Sequence, residues 1–290
     1  MVKDLYRRRS TDAKRHKIAA YSLTGLSLLA VVFITLCLNL IYFEHHQLYQ
    51  PNERLTTSPQ DIGIFYESVD FETEDGQSLN GWFIPVPGAK TTVLFCHGRA
   101  GNLSDELAKI KFFHDMGMNL MMFDYRGYGR SSGTPSEKGF YKDTRAAYDF
   151  LISRNDVDKE KIVVIGESLG GAVAADLCLH RKVKALVLES SIVSVLMEAR
   201  RLYPFLPTDF LPLEKFDTLS KIKKIQIPKL FVHGLDDEDV SFSDALQLYY
   251  ASSGPKKFLP FQGTHDDDIF KISQIYKDEL RKFLHENNLL

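Results

Sequence analysis

The stretch IVVIGESLGG (162–171) carries the reading of this chain. Ile162, Val163, Val164 and Ile165 are β-branched and uninterrupted, as expected of a strand buried on both faces. LGGAVAADLCL (169–179) follows with the composition of a helix. Between them Gly166-Glu167-Ser168-Leu169-Gly170 is G-x-S-x-G in the context its chemistry requires, a strand, a sharp turn and a helix. Small residues flank the serine because the turn strains the backbone and brings strand and helix close together. The turn lifts the Ser168 hydroxyl clear of the sheet, and the helix N-terminus beneath it favours developing negative charge. A dinucleotide fingerprint would need Gly where Ser168 stands. A phosphate-binding P-loop would need Gly-Lys-Ser/Thr, which occurs nowhere in the chain.

A hydroxyl nucleophile needs a base to take its proton and a carboxylate to orient that base. In this motif's chain order the acid and then the histidine follow the serine. His265, in FQGTHDDD after the last strand-like run, is the expected base. His114 and His180 fall in helical segments, His285 near the end, and His97 before the nucleophile, while His233 closes a strand. Asp236, Asp237, Glu238 and Asp239 follow His233-Gly234, so the residues alone leave the choice of acid open. That acidic run lacks the alternating ligands and central Gly of a Ca²⁺ loop. An oxyanion hole needs two backbone N–H groups, one just after the nucleophile and one from the loop following the third strand. Leu169 supplies the first, and Arg99 in CHGRAGN (96–102) is the candidate for the second.

Further outward, strand and helix patterns alternate. The expected strands are 65–73, 78–86, 91–98, 119–126, 161–168, 183–190, 228–234 and 256–263. The expected helices are 103–116, 136–154, 169–180, 243–252 and 267–287. Such alternation predicts an α/β fold with a mostly parallel, doubly wound sheet. The first two strands, joined by a turn at Glu74-Asp75-Gly76, form an antiparallel edge. Residues 191–224 break the rhythm, with Pro204, Pro207 and Pro212 among Leu196, Leu202, Tyr203, Phe205, Leu206, Phe210, Leu211 and Phe216. Proline at that density permits only short helices. The insertion is either a small helical cap over the carboxyl ends of the strands or a packed crossover without a substrate role.

The N-terminal region follows different physics. Residues 1–17 hold seven basic residues against two acidic ones, a net of +5, whereas 18–43 (IAAYSLTGLSLLAVVFITLCLNLIYF) carry no charge. These 26 residues exceed the roughly 20 that a hydrocarbon core of about 30 Å requires. They read as one transmembrane helix, longer than the apolar region of a signal peptide and followed by no A-x-A-like site. Tyr42 and Phe43 suit an interfacial position. The basic tail then stays cytoplasmic and the body of the chain lies across the membrane. Residues 44–60, polar and Pro-containing, read as a linker with His45 and His46 solvated, and 61–290 as one domain.

Composition narrows the function classes. The chain has 290 residues, 44% hydrophobic and 12% aromatic, which excludes a disordered or fibrous protein. Cys37, Cys96 and Cys178 make no disulfide framework or zinc motif. A net charge of −2 offers no footprint for nucleic acid. No metal or organic cofactor is expected.

HGRAGN (97–102), FDYRGYGRSSGTPSE (123–137), VIGESLGG (164–171), YPFLPTDFLP (203–212), HGLDDEDV (233–240) and GTHDDD (263–268), in this order, resemble the serine hydrolases of the α/β-hydrolase superfamily. The chain is most similar to the membrane-associated bud-emergence-type branch, which also resembles the depalmitoylating esterases. HGLDDEDV resembles the family pattern H-G-x-x-D-x-x-V, which makes Asp237 the acid, with Asp236 and Asp239 as alternates. Arg99 departs from the family, where Asn is typical; a backbone donor tolerates this. The resemblance implies a membrane-anchored enzyme cleaving acyl esters or thioesters of small molecules or lipids through Ser168, His265 and Asp237. A peptidase of the same fold, or a scaffold acting only by binding, are the alternatives.

Overall fold

The computed structural model describes residues 2–265 and 273–290. The chain divides into two compact units, Met1–Gln47 with Phe205–Leu213, and Leu48–Pro204 with Glu214–Leu290.

In the first unit α1 (Val2–Leu48) is one helix of 47 residues. It runs past both ends of the uncharged stretch, because Lys, Arg, Glu and Gln extend a helix as readily as Leu does. The linker expected over 44–60 therefore begins only after Leu48. Its Ala20–Leu48 portion, 29 residues of mean hydropathy 2.4, is long and apolar enough to cross a membrane, a property that an N-terminal signal sequence shares. Most of its apolar side chains are exposed, which separates it from the core helix of a soluble domain. Two of its polar side chains bond back along the helix: Thr24 Oγ1 donates to the Ala20 carbonyl and Asn39 Nδ2 to that of Thr35. Phe205–Leu213 contains a single 3₁₀ turn, Thr208–Phe210, and exposes Phe205 and Phe210 almost completely.

The second unit is built on an eight-stranded sheet. β1 (Glu67–Glu72) and β2 (Ser78–Ile84) form the expected antiparallel hairpin. Then come β3 (Thr92–Cys96), α2 (Leu107–Asp115), β4 (Asn119–Phe123) and α3 (Glu137–Ser153). β5 (Ile162–Glu167), α4 (Leu169–His180) and β6 (Ala185–Glu189) follow. After β6 lie α5 (Val195–Leu202) and α6 (Thr218–Ile222), then β7 (Lys229–Gly234), α7 (Phe242–Ala251), β8 (Lys256–Phe261) and α8 (Ser273–Glu286). The start expected for the last helix, at 267, lies outside the described residues.

The strand order is β1-β2-β4-β3-β5-β6-β7-β8. β2 pairs antiparallel with β4, and every pair from β4 onward is parallel. Strand alternation splits the core into two layers. Leu94, Val164 and Leu186 pack with Phe140, Leu151, Ala172 and Val173 on one face, while Val93, Phe95, Val163 and Ile165 pack with Phe113, Tyr276 and Phe283 on the other. Burying each such side chain contributes roughly 1.5–3 kcal/mol. From β3 the chain crosses to β4 on one side, then returns to β5 on the other. The switch point, where ligands bind in open α/β sheets, thus lies beyond Cys96 and Glu167.

Two stretches are more ordered than their composition suggests. Over 191–224, α6 packs on α4 and α7 with Thr218 and Ile222 buried, the packing of a crossover helix at this end of the insertion. Within the expected linker, Gln50–Pro51 pairs in parallel with Ala100–Gly101, and Pro59–Ile62 forms a 3₁₀ turn. Polarity alone does not reveal this, because backbone groups do the pairing.

Candidate active site

Ser168 stands between β5 and α4 with φ 53° and ψ −117°, in the left-handed region that side chains rarely occupy. Its own N–H donates to the Glu189 carbonyl (2.9 Å), and its carbonyl accepts from Gly171 N–H (3.1 Å). The glycines around it are dictated by close approach. A Cβ on Gly170 would lie 2.1 Å from the Cys96 carbonyl oxygen, and one on Gly166 would lie 2.4 Å from that of Gly170. A serine at a helix N-cap usually spends its hydroxyl on capping. Here the side chain makes no capping bond, and Oγ instead lies 3.2 Å from His265 Nε2.

His265 Nδ1 lies 2.9 Å from Asp237 Oδ2. An ionised carboxylate only accepts, so Nδ1 carries the proton and Nε2 is left as the acceptor facing the Ser168 hydroxyl. The other carboxylate oxygen, Asp237 Oδ1, accepts from the N–H groups of Asp239 (3.1 Å) and Val240 (2.8 Å). Burial alone would raise the Asp237 pKa, but the His265 and Val240 hydrogen bonds outweigh it and hold the carboxyl below its ordinary range. For His265 burial opposes the charged form, yet the hydrogen bond and charge of Asp237 raise its pKa above 6.5. Of the four acidic residues, the structure brings Asp237 to His265. Asp239 instead pairs with Arg99 across 3.4 Å at an exposed position, and Asp236 hydrogen-bonds Gln262.

Sequence reasoning assigned no role to His233. It is buried, its Nε2 lies 2.9 Å from the Val240 carbonyl, and burial keeps its pKa below the ordinary value. It thus clasps the turn that presents Asp237. Burial on strand β7, four residues before the acid, was the available signal.

Gly98 faces the serine: a Cβ there would sit 3.7 Å from Ser168 Cβ. Among the described residues, the N–H groups of Arg99 and Leu169 donate to no other group. Leu169, the first residue of α4, lacks an intrahelical acceptor by position. FDYRGYG (123–129) braces this loop, with Tyr125 Oη donating to the His97 carbonyl (3.2 Å) and Tyr128 Oη to that of Arg99 (2.6 Å). Cys96 is buried and its thiol is pushed up to about 12 by desolvation, which leaves it inert. Among the described residues no group of three or more His, Cys, Asp or Glu is arranged to hold a metal ion.

The sheet order, the switch point and the strained serine turn define one class of protein, and the chain belongs to it: residues 91–286 match the family model described as the alpha/beta hydrolase fold. Among its relatives is an uncharacterized protein of Mycobacterium tuberculosis, 34% identical over 84% of this chain and 88% of the relative. The alpha/beta hydrolase domain-containing protein WAV2 of Arabidopsis thaliana is 33% identical over 85% of this chain and 89% of its own length. The alpha/beta hydrolase domain-containing protein 17C of Xenopus tropicalis is 34% identical over 76% and 70%. Among solved structures, the Pyrococcus furiosus esterase Pf2001 superposes with a TM-score of 0.69 at 22% identity, covering 82% of this chain and 98% of the esterase.

Proposed function

We propose that this protein is a membrane-anchored serine hydrolase that cleaves acyl esters or thioesters. The observation that carries the reading is the hydrogen-bonded chain from Ser168 Oγ through His265 to Asp237, at 3.2 and 2.9 Å, with the serine held at positive φ. Ser168 Oγ attacks the acyl carbonyl while His265 Nε2 takes the hydroxyl proton. A new C–O bond forms and the carbonyl electron pair moves onto oxygen, where the N–H groups of Arg99 and Leu169 receive it. Collapse of this intermediate breaks the bond to the alkoxide or thiolate, which leaves with the proton from His265. Water, deprotonated by the same Nε2, then attacks the acyl carbon; the acyl–Oγ bond breaks, Ser168 Oγ takes the proton back from His265, and the acyl group leaves as the carboxylic acid. Asp237 orients the imidazole and stabilises its cationic form.

An acyl substrate is favoured over a peptide by the composition of residues 196–216, which are rich in Leu, Phe, Tyr and Pro. Each methylene buried would contribute roughly 0.8 kcal/mol, about fourfold in affinity. Fluorophosphonate labelling of wild type and Ser168→Ala tests the nucleophile, and p-nitrophenyl esters of increasing chain length test the substrate. Wild type should label, the variant should not, and kcat/KM should rise from acetyl to at least medium-chain esters. Faster cleavage of aminoacyl p-nitroanilides than of any ester would move the assignment to a peptidase.

The +5 tail ahead of the apolar helix supports a cytoplasmic N-terminus with the hydrolase domain across the membrane. Protease added to the cytoplasmic face of sealed vesicles should leave that domain intact. Its digestion would reverse the orientation without touching the anchor.

A further inference from the structure

The segment directly after α1 has no part in the reaction as written, yet its backbone is spent on one loop. Gln50 N–H donates to the Arg99 carbonyl (3.0 Å) and Asn52 N–H to the Gly101 carbonyl (3.1 Å), in a parallel register pairing Gln50 with Ala100 and Pro51 with Gly101. From the loop, Asn102 Nδ2 returns two bonds, to the carbonyls of Asn52 (2.8 Å) and Arg54 (2.9 Å). Asn102 is 1% exposed, and its Oδ1 is taken by Ser104 N–H (2.8 Å), so the whole amide is committed. A third element closes the arrangement, because Gly129 N–H donates to the Asn52 carbonyl (3.0 Å). Upstream, Tyr49 is buried against Phe140 and Phe216, with ring centroids 5.3 and 6.2 Å apart, which fixes where the segment starts.

The pattern is selective. The segment takes hold of the loop through the carbonyls of Arg99 and Gly101 and the side chain of Asn102, while the Arg99 N–H stays without an acceptor among the described residues. With Tyr128 Oη on the same Arg99 carbonyl, that carbonyl accepts two hydrogen bonds. Such a residue has little freedom left in its two backbone dihedrals, and a preorganised donor is what an oxyanion requires.

We infer that Gln50–Arg54 is a positioning strap for the oxyanion loop, with Asn102 as its clasp, so that turnover depends on the segment joining the apolar helix to the domain. This rests on the serine-hydrolase reading and adds to it a positioning role for residues that never touch substrate. The strap acts on the transition state, because its hold is on the residue that receives the oxyanion and not on a surface that binds the acyl chain.

The test uses the full chain in detergent micelles, with Asn102→Asp and Gln50→Pro. The first substitution keeps shape and the oxygen that accepts from Ser104 N–H but replaces both donors with an acceptor facing two carbonyls. The second removes the N–H that reaches Arg99 at an exposed position, and reports on the strap even where the buried change impairs folding. Active sites are titrated to completion with fluorophosphonate, so that rates are expressed per folded site. Removing an oxyanion donor outright costs about 10²–10³-fold in kcat, and a loosened donor should cost a fraction of that, about tenfold. We expect kcat per titrated site to fall about tenfold in each variant with KM within about twofold. The affinity for an acyl trifluoromethyl ketone, whose hemiketal oxygen occupies the hole, should fall in parallel. An unchanged kcat per site, or a loss confined to KM or to the fraction of titratable sites, would overturn the strap. Ser168→Ala separates the two readings: if it retains turnover the serine hydrolase itself is wrong, whereas an inactive Ser168→Ala beside a fully active Asn102→Asp removes the strap alone.

Discussion

Around Ser168 the backbone is held by its sequence neighbours and by adjacent core strands: Gly166 and Gly170 close on each other, and the Ser168 N–H reaches β6. Around Arg99 the loop is held from far along the chain, by Gln50 and Asn52 on one side and Tyr125 and Tyr128 on another. The serine turn stores strain that the sheet supports, whereas the loop stores none and relies on carbonyl acceptors. The first region should therefore respond to substitution all or nothing, and the second by degrees.

The largest effects should come from the first region. Ser168→Ala and His265→Ala should each lower kcat by about 10⁶-fold, the scale for removing either member of such a unit, and a combined variant should be no worse than either. Additive losses, measured on a p-nitrophenyl ester, would show that the two do not act together. Asp237→Asn should cost about 10⁴-fold, well beyond Asp236→Asn or Asp239→Asn in the same assay. A greater loss at Asp239 would move the acid to the exposed residue that pairs with Arg99.

Gly170→Ala probes the packing beneath the turn. Its Cβ would press on the carbonyl oxygens of Cys96 and His97 at 2.1 and 2.5 Å, backbone atoms that cannot swing aside. A destabilisation of about 3 kcal/mol is expected, read as a melting-temperature drop of roughly 6–12 °C. An unchanged Tm would mean that strand and helix are less tightly opposed than described.

In the second region Tyr128→Phe removes one of two donors to the Arg99 carbonyl, which still accepts from Gln50. The expected cost is about 1 kcal/mol of stability, by chemical denaturation, with a loss of kcat of only a fewfold. A loss as large as that at Asp237 would erase the contrast between the two regions.

The pH profile is the mildest probe. In the proposed mechanism His265 must be neutral to accept the serine proton, and Asp237 raises its pKa above 6.5. The rate should therefore rise with pH through a midpoint above 6.5 and fall on acidification below it. In Asp237→Asn that midpoint should move down. The stability that His265 gains from the pair runs the other way: it is present below pH 6.5 while Asp237 stays ionised, and lost as pH climbs through the raised value. Asp237's own share is lost at the acid end, as pH falls through its lowered value. A midpoint that ignores the substitution would detach the limb from His265.

Sequence alone determined the strands of the main sheet, most of the helices that flank them and the serine turn, because these depend on short-range rules: β-branched runs make buried strands, and glycine is required where backbones nearly touch. It also determined the apolar helix, since 26 uncharged residues are a one-dimensional fact. The choice of Asp237 within an acidic run came from the family pattern HGLDDEDV, because spacing cannot tell which of adjacent carboxylates a turn aims inward. The structure adds the geometry, the N–H groups of Asp239 and Val240 holding Asp237 Oδ1 while Oδ2 faces His265. What only the tertiary structure decided is where the polar stretch after α1 goes. Gln50 and Asn52 bind through backbone N–H groups, which every non-proline residue possesses, so composition carries no trace of a pairing with a loop some fifty residues away. The same holds for Asn102, whose two Nδ2 bonds exist only because the fold brings Asn52 and Arg54 beside it.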